Sequence, residues 1–178
     1  SISKAVAAEG FTVVSGLARG ADTEAHCGAL EAKGGKTIAV LPWMDPLYPP
    51  EHWQLARDIA ARGAVLSEHY AKQDGKPAPG EFVLRNRITS GISRYVIAVE
   101  SGEEGGTVHQ IRFAISQGRR VFAVKPKSGN SHAMKGYQLF VDLGAISVTS
   151  AKQVLRYLRE SEAPRRMDAF IEAQAKLK

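Results

Sequence analysis

Short apolar runs alternate with longer amphipathic segments along most of this chain. The apolar runs are rich in β-branched residues and are bounded by glycine, proline or polar residues, which is typical of strands buried on both faces. These runs predict strands at 11–15, 36–41, 64–68, 95–100, 120–124 and 145–148. The segments between them carry helical composition and helix-end signals. They predict helices at 21–33, 51–61, 82–93, 107–117, 136–143 and 151–160.

This alternation predicts an α/β domain of Rossmann-like type, with a doubly wound, mostly parallel sheet and helices on both faces. Residues 2–9 have the pattern of the end of a helix. We therefore expect the first strand of the sheet and its loop to be missing from this chain. The length of 178 residues and the 44% hydrophobic content suit one domain with a sizeable core. We assign that domain to residues 1–160, followed by a charged tail, or the start of a further element, at 161–178.

Charge and cysteine content narrow the class of partner and the cellular compartment that we expect. The net charge of +6 favours an anionic partner, either a nucleic acid or a nucleotide. The single cysteine, Cys27, excludes an intrachain disulfide and fits a reducing cytosol. No apolar run approaches the roughly 18 residues that span a membrane, and no signal-peptide pattern opens the chain. We expect a cytoplasmic protein with no membrane partner.

The loop after the first predicted strand is a candidate phosphate site, because open α/β sheets bind ligands at the carboxyl ends of their strands. Gly16 and Gly20 allow a tight turn and a close approach of backbone N–H groups, and Arg19 can add a bidentate contact. The loop matches neither the Walker pattern nor the full dinucleotide fingerprint. The same glycines could serve only to pack a helix against a strand.

A second candidate loop follows the fourth predicted strand. Gly105 and Gly106 precede a helix for which Thr107 is the expected cap, which again forms an anion cradle. Glu103 and Glu104 would repel phosphate if they pointed inward. A flexible capped turn is the alternative interpretation of this loop.

Two further groups of residues add positive charge near the same edge. Arg85, Asn86 and Arg87 lie on the helix predicted at 82–93. Because Arg85 and Arg87 are two positions apart, their side chains point in different directions, and one can line a site while the other pairs on the surface. Lys125 and Lys127 follow the fifth predicted strand. We expect all four candidate segments to converge on one edge of the sheet.

Catalytic and metal-binding patterns are missing from the sequence. Cys27 and the adjacent His26 diverge on a helix, so they cannot form a dyad, and we interpret Cys27 as a buried small apolar residue. No Ser/His/Asp catalytic triad is recognisable in the sequence, and the histidines show no metal-ligand spacing. We expect no catalytic residue, no metal and no cofactor. The five histidines are His26, His52, His69, His109 and His132.

Several of these segments resemble, in order and spacing, the DNA-processing protein A family (DprA, also called Smf). The likeness covers roughly residues 1–158. The sequence departs from the family at Ala21, at Glu103-Glu104 and in the segment 136–141, and the family's Gly-Ser-Arg loop would lie before Ser1. The matching segments are Ser15-Gly-Leu-Ala-Arg-Gly-Ala-Asp22 with Ala25-His26, Gly34-Gly-Lys-Thr-Ile-Ala-Val-Leu41 with Tyr48-Pro-Pro50, Arg85-Asn-Arg-Ile88 with Phe82, Gly91 and Ser93, Gly118-Arg-Arg-Val-Phe-Ala-Val124, and Gly144-Ala145.

The resemblance implies a binding protein without catalytic activity. In that family the Rossmann-like domain binds single-stranded DNA in a basic pocket, passes it to the RecA recombinase during natural transformation, and tends to form a homodimer. It implies binding roles for Arg19, Arg85, Arg87 and the loop glycines. Independently of the resemblance, Tyr70, Phe82 and Tyr137 are candidates for base stacking, and the alternative interpretation is that each packs in the core.

Two other functions are compatible with the sequence. The first is a sensor domain that holds a small nucleotide in the same cradle. The second is a nucleoside-monophosphate N-glycosidase of the LOG type, whose glycine-rich loop resembles Gly105-Gly-Thr-Val-His-Gln110. The catalytic glutamate of that enzyme class is missing here, because His109 and Gln110 occupy the corresponding stretch.

Overall fold

The computed structural model describes residues 1–72, 78–127 and 131–162. Within these ranges it contains seven α-helices, a 3₁₀ turn at Pro50–His52 and six strands. The helices are α1 Ile2–Ala8, α2 Ala21–Glu31, α3 Trp53–Arg62, α4 Pro79–Gly91, α5 Gly106–Ser116, α6 Ser131–Asp142 and α7 Ala151–Glu162. The strands are β1 Val13–Ser15, β2 Thr37–Val40, β3 Ala64–Leu66, β4 Tyr95–Ala98, β5 Arg120–Val124 and β6 Ile146–Val148.

The strands form two parallel three-stranded sheets, in the orders β1-β2-β3 and β4-β5-β6. Ser15 lies opposite Ala39 in the first sheet, and Ala98 lies opposite Ala123 in the second. Within the described residues, β1 and β4 each pair on one side only. The predicted α/β fold is confirmed, and a further strand before Ser1 remains a prediction.

Helix α1 joins the two halves of the core. Val6 packs with Phe122, Val148 and other residues of the second sheet and α7. The adjacent Ala7 packs with Ala29 and Ala32 from the first half of the chain. Burying both faces of so short a helix accounts for its stability, because isolated helices of this length are marginal in water.

Two helices begin earlier than the sequence pattern predicts. Helix α4 starts at Pro79, where Glu81 caps the first turn by accepting a hydrogen bond from the Ala78 N–H at 2.9 Å. Helix α6 starts at Ser131, and Gly136 lies inside it rather than at its start. The glycine is required there because a Cβ atom would overlap the Ser101 carbonyl oxygen.

Helix α4 has an unusual distribution of polar and apolar residues. Its buried residues are Arg85, Asn86, Thr89 and Ser90. Leu84, on the same helix, is 60% exposed. The polar face of α4 therefore points into the protein, which is the reverse of an ordinary amphipathic helix.

Some predictions concern residues that lie outside the described ranges or remain untested. The loop predicted at 70–80 is described only in part, and the tail at 163–178 lies outside the described residues, so its separate role remains a prediction.

Cys27 is half-buried rather than buried, and burial raises the pKa of its thiol. Among the described residues, no helix is long and apolar enough to cross a membrane.

Candidate functional site

The candidate loops start at the carboxyl ends of β1, β4 and β5, as predicted. The loop after β1 therefore lies on the carboxyl edge of the first sheet, and the loops after β4 and β5 lie on that of the second. Helix α4 connects the loop of the first sheet with the loop of the second.

Arg85 connects α4 with the first sheet. Its side chain is 7% exposed, and its guanidinium donates to the carbonyl oxygens of Gly16, at 2.7 Å, and of Val40. A Cβ atom at position 16 would overlap the guanidinium, which explains the glycine there. Burial lowers the pKa of Arg85, and the nearby Asp22 carboxylate opposes that shift.

Asn86 connects α4 with the second sheet. Its Oδ1 accepts from Nε of Arg85 at 3.2 Å, and its Nδ2 donates to the Gly106 carbonyl at 3.1 Å. Gly106 is the first residue of α5. Two neighbouring residues of α4 therefore fix the loop after β1 and the loop after β4 relative to each other.

Arg87 points away from this junction, as the two-residue spacing predicts. It is exposed and forms an ion pair with Glu68. The hydrogen bond from Arg87 lowers the pKa of the Glu68 carboxyl. Such an exposed pair contributes little to stability, so Arg87 can exchange Glu68 for another anion at low cost.

The loop after β1 is organised by Asp22. The Asp22 carboxylate accepts from Ser15 Oγ at 2.6 Å and from the Ala18 N–H at 3.2 Å. Leu17, which lies between them, is fully buried at a φ of 60°. A left-handed leucine is strained by roughly 1–3 kcal/mol and persists only where its surroundings fix it.

Arg19 lies at the exposed tip of the same loop. It forms an ion pair of 2.5 Å with Glu51, and its guanidinium lies 5.8 Å from the centroid of the Tyr48 ring. The hydrogen bond from Arg19 lowers the pKa of the Glu51 carboxyl. Arg19 is thus positioned at the surface but paired with an acid in this structure.

The loop after β4 leads into a helix start that no side chain caps. Gly105 takes the cap position with a φ of 121°, and no acidic residue lies in the first turn of α5. Thr107 was expected as the cap, but the helix begins one residue before it, so the threonine lies inside the first turn. Glu103 and Glu104 are both exposed. The first N–H groups of α5 therefore form a partially positive helix end.

Most of the chain matches a single protein family. The model of the family described as DNA recombination-mediator protein A matches residues 1–159. The chain belongs to this family. The predicted resemblance to DprA and Smf proteins is confirmed.

Curated members of the recombination-mediator protein A family show the same relationship at the level of sequence. The chain is 39% identical over 158 residues to Protein Smf of Synechocystis and 36% identical over 160 residues to DNA processing protein DprA of Bacillus subtilis. These alignments cover 88% and 89% of this chain but only 39% and 52% of the relatives. The chain thus spans about half the length of the curated relatives, or less.

Solved structures from the family share the fold. DprA from Streptococcus pneumoniae superimposes with a TM-score of 0.73 at 36% identity, covering 88% of this chain and 55% of that one. DNA processing protein A from Helicobacter pylori, whose structure concerns its single-stranded DNA binding mode, gives a TM-score of 0.75 at 26% identity. That match covers 90% of this chain and 71% of the other.

The remaining predicted site residues lie at the surface of this family domain. Gly20 is exposed and precedes α2, and Lys125 and Lys127 are exposed after β5. The Lys125 backbone N–H donates to Val148 at 2.8 Å, which fixes where this segment leaves the sheet.

The three candidate stacking residues differ in accessibility. Tyr70 is 80% exposed. Phe82 packs edgewise against Trp43 and Tyr48, with centroid distances of 5.6 and 5.8 Å. Tyr137 is half-buried and its hydroxyl is 2.6 Å from Ser147 Oγ. Of the three, Tyr70 has the ring surface that a base could cover.

Sequence reasoning missed two residues that touch the loop after β1. His52 Nδ1 lies 2.8 Å from the Leu17 carbonyl, and Thr23 Oγ1 donates to the Ala18 carbonyl at 2.8 Å. Neither belongs to a recognisable motif, and His52 reaches the loop from a separate turn of the chain. No group of three or more potential metal ligands occurs among the described residues.

Proposed function

We propose that this domain binds single-stranded DNA along its carboxyl-edge loops, as part of a protein that acts in DNA uptake and natural transformation. In this proposal the bound strand passes to a RecA-type recombinase, and the domain works as a homodimer. The domain holds the strand and performs no chemistry on it.

The observation that carries the proposal is the junction at Arg85 and Asn86. It fixes the glycine loop after β1 beside the uncapped start of α5. Two sets of backbone N–H groups on one edge suit successive phosphates of a single strand. Exposed cations on the same edge add the electrostatic attraction that nucleic acids require. These cations are Arg19, Arg87, Lys125 and Lys127.

Family membership supports the same ligand. The relative from Helicobacter pylori is described as binding single-stranded DNA, and its fold matches 90% of this chain. The net charge of +6 is in agreement with a polyanionic partner. Homodimer formation and recombinase transfer rest on the family resemblance alone.

The first test is a titration of fluorescein-labelled oligo-dT at two salt concentrations, with duplex DNA and ATP as competitors. We expect saturable binding that weakens steeply with salt and that neither competitor displaces efficiently. Arg19→Ala, Arg87→Ala and Lys127→Ala should each weaken binding and lower the salt slope by about one.

Arg156→Ala is the matched control for Arg19→Ala. Both arginines are about equally exposed and paired with a glutamate, but Arg156 lies on α7. This control should leave affinity and salt slope unchanged. Displacement of the oligonucleotide by ATP would instead support a nucleotide sensor, and release of a free base from a nucleoside monophosphate would support the glycosidase. If none of Arg19→Ala, Arg87→Ala and Lys127→Ala lowers the salt slope, the proposed binding surface is wrong.

A further inference from the structure

Three consecutive carbonyl groups in the loop after β1 are each held by a side chain from a different element. Arg85 of α4 donates to Gly16, His52 of the 3₁₀ turn to Leu17, and Thr23 of α2 to Ala18. We call Thr23, His52 and Arg85 the carbonyl clamp.

The direction of each bond in the carbonyl clamp is fixed by chemistry. A carbonyl oxygen can only accept, so Nδ1 of His52 carries a hydrogen. For the same reason the hydroxyl hydrogen of Thr23 points to Ala18, at 2.8 Å. His52 Nε2 is 3.5 Å from Thr23 Oγ1, so two members of the clamp also touch each other.

The clamp accounts for the strained backbone between β1 and α2. Leu17 holds a φ of 60° while fully buried, and three bonds to neighbouring carbonyls supply the constraint that such a conformation needs. Without these donors the loop could relax toward an ordinary right-handed or extended conformation.

With the carbonyls held inward, the N–H groups at the loop tip remain for a ligand. Arg19 and Gly20 are exposed, and within the described residues their backbone N–H groups donate to no other group. The Ala18 N–H is different, since Asp22 accepts from it.

We infer that Thr23 and His52 are positioning residues for DNA binding: the carbonyl clamp holds the glycine loop so that the N–H groups of Arg19 and Gly20 face the phosphates. This inference rests on the proposed function. Neither side chain has to touch the strand, and neither contributes a charge to it through the clamp contact.

The test compares Thr23→Val with Thr23→Ser. Valine keeps the shape of threonine but removes the hydroxyl donor, whereas serine keeps the donor. We expect Thr23→Val to bind oligo-dT about fivefold to tenfold more weakly, which is the size of one lost hydrogen bond. The salt slope should equal that of the unmodified protein, because no ion pair with phosphate is removed. Thr23→Ser should restore affinity to within about twofold.

A second readout separates positioning from general stability. In ¹⁵N-labelled protein, oligo-dT should shift the amide signals of Arg19 and Gly20, and Thr23→Val should reduce those shifts. Thr12→Val is the matched control, because Thr12 is exposed and lies before β1, at the opposite end of the strand. His52→Phe removes the second donor from a separate element and should act in the same direction as Thr23→Val.

The outcomes distinguish this inference from the proposed function. If the unmodified protein fails to bind oligo-dT, the proposed function fails and the inference fails with it. If it binds and Thr23→Val binds equally well, only the inference is overturned. A Thr23→Val variant whose salt slope falls by about one would also overturn it, because the loss would then arise from a displaced cation.

Discussion

His26 is fully buried on α2, and its hydrogen bonds define its tautomer. Thr37 Oγ1 donates to the Val13 carbonyl at 2.8 Å, so it accepts from Nδ1 of His26 at 2.7 Å. Nε2 of His26 is buried and has no partner within the described residues. Burial lowers the pKa of His26 to about 4, although the Asp22 charge acts in the opposite direction.

This arrangement predicts a specific loss of stability in acid. In the unfolded chain a histidine titrates near 6.5, so below that pH the unfolded state takes up a proton that the folded state does not. The contribution of neutral His26 to the free energy of unfolding should therefore be fully present above about pH 6.5. It should be lost as the pH falls through 4. The total loss from this one residue is about 3 kcal/mol.

Urea denaturation at several pH values measures the effect. His26→Leu should flatten the curve between pH 6.5 and 4 relative to the unmodified protein, and His109→Gln, a change at an exposed histidine of α5, should not. An identical pH dependence in the His26 variant would show that this residue is protonated in the folded state as well.

The sequence pattern predicted positions along the chain better than it predicted contacts between them. It located the glycine loop and the Arg85–Arg87 segment, and it predicted that the two arginines diverge. It could not show that Arg85 donates to Gly16 and Val40, which lie 69 and 45 positions away along the chain. Residue type and spacing carry no record of such long-range partners. Thr23 and His52 were missed for the same reason.

At the scale of elements, the close approach of α6 to the loop after β4 depends on Gly136. The same loop is held at a second point, since a Cβ atom at Gly102 would overlap the ring of His132 on α6. These contacts set the distance between α6 and the entrance to α5. A side chain at position 136 would push the helix away from the Ser101 carbonyl.

We therefore expect Gly136→Ala to destabilise the domain by about 1–3 kcal/mol, the usual cost of overpacking. Gly80→Ala is the control, because it lies on α4 and a Cβ atom there meets no atom within 4 Å. It should be neutral or slightly stabilising, as alanine favours helices. Urea midpoints of the two variants that fall in the opposite order would contradict this account of α6.

The helix boundaries illustrate what the sequence pattern leaves out. A glycine ordinarily marks a helix end, so the pattern placed the start of α6 at Gly136 rather than at Ser131. The packing need that overrides this rule exists only when the Ser101 loop is in place. Apart from the early start of α4, the other helices and all six strands were predicted at nearly the right positions, because their apolar periodicity reflects burial within each element itself.

At the scale of the whole molecule, the alternation of strands and helices was sufficient to predict the α/β class. It did not show that pairing divides the strands into two sheets of three, because pairing partners are long-range contacts. Helix α1 and the Arg85–Asn86 junction connect the two halves at different places, through apolar packing and through hydrogen bonds respectively. The superposition on DprA from Streptococcus pneumoniae, with a TM-score of 0.73, shows that this fold is shared with that relative.

The inverted polarity of α4 has a consequence for how this protein can tolerate mutation. In most helices the apolar positions are intolerant and the polar ones vary. Here we expect the opposite: Leu84→Gln should change the free energy of unfolding by less than about 0.5 kcal/mol, while Asn86→Leu leaves the Gly106 carbonyl without its donor and should cost about 1–3 kcal/mol.

A saturation scan of residues 79–91, scored by abundance in cells, would measure this pattern directly. It should show that the exposed Leu84 position accepts nearly any residue. The buried polar positions should accept almost none, namely Arg85, Asn86, Thr89 and Ser90. Equal tolerance on the two faces would mean that the buried hydrogen bonds of α4 are dispensable. Under the expected result, Arg85 and Asn86 would be retained during evolution of this domain, whereas the residue at the Leu84 position would vary.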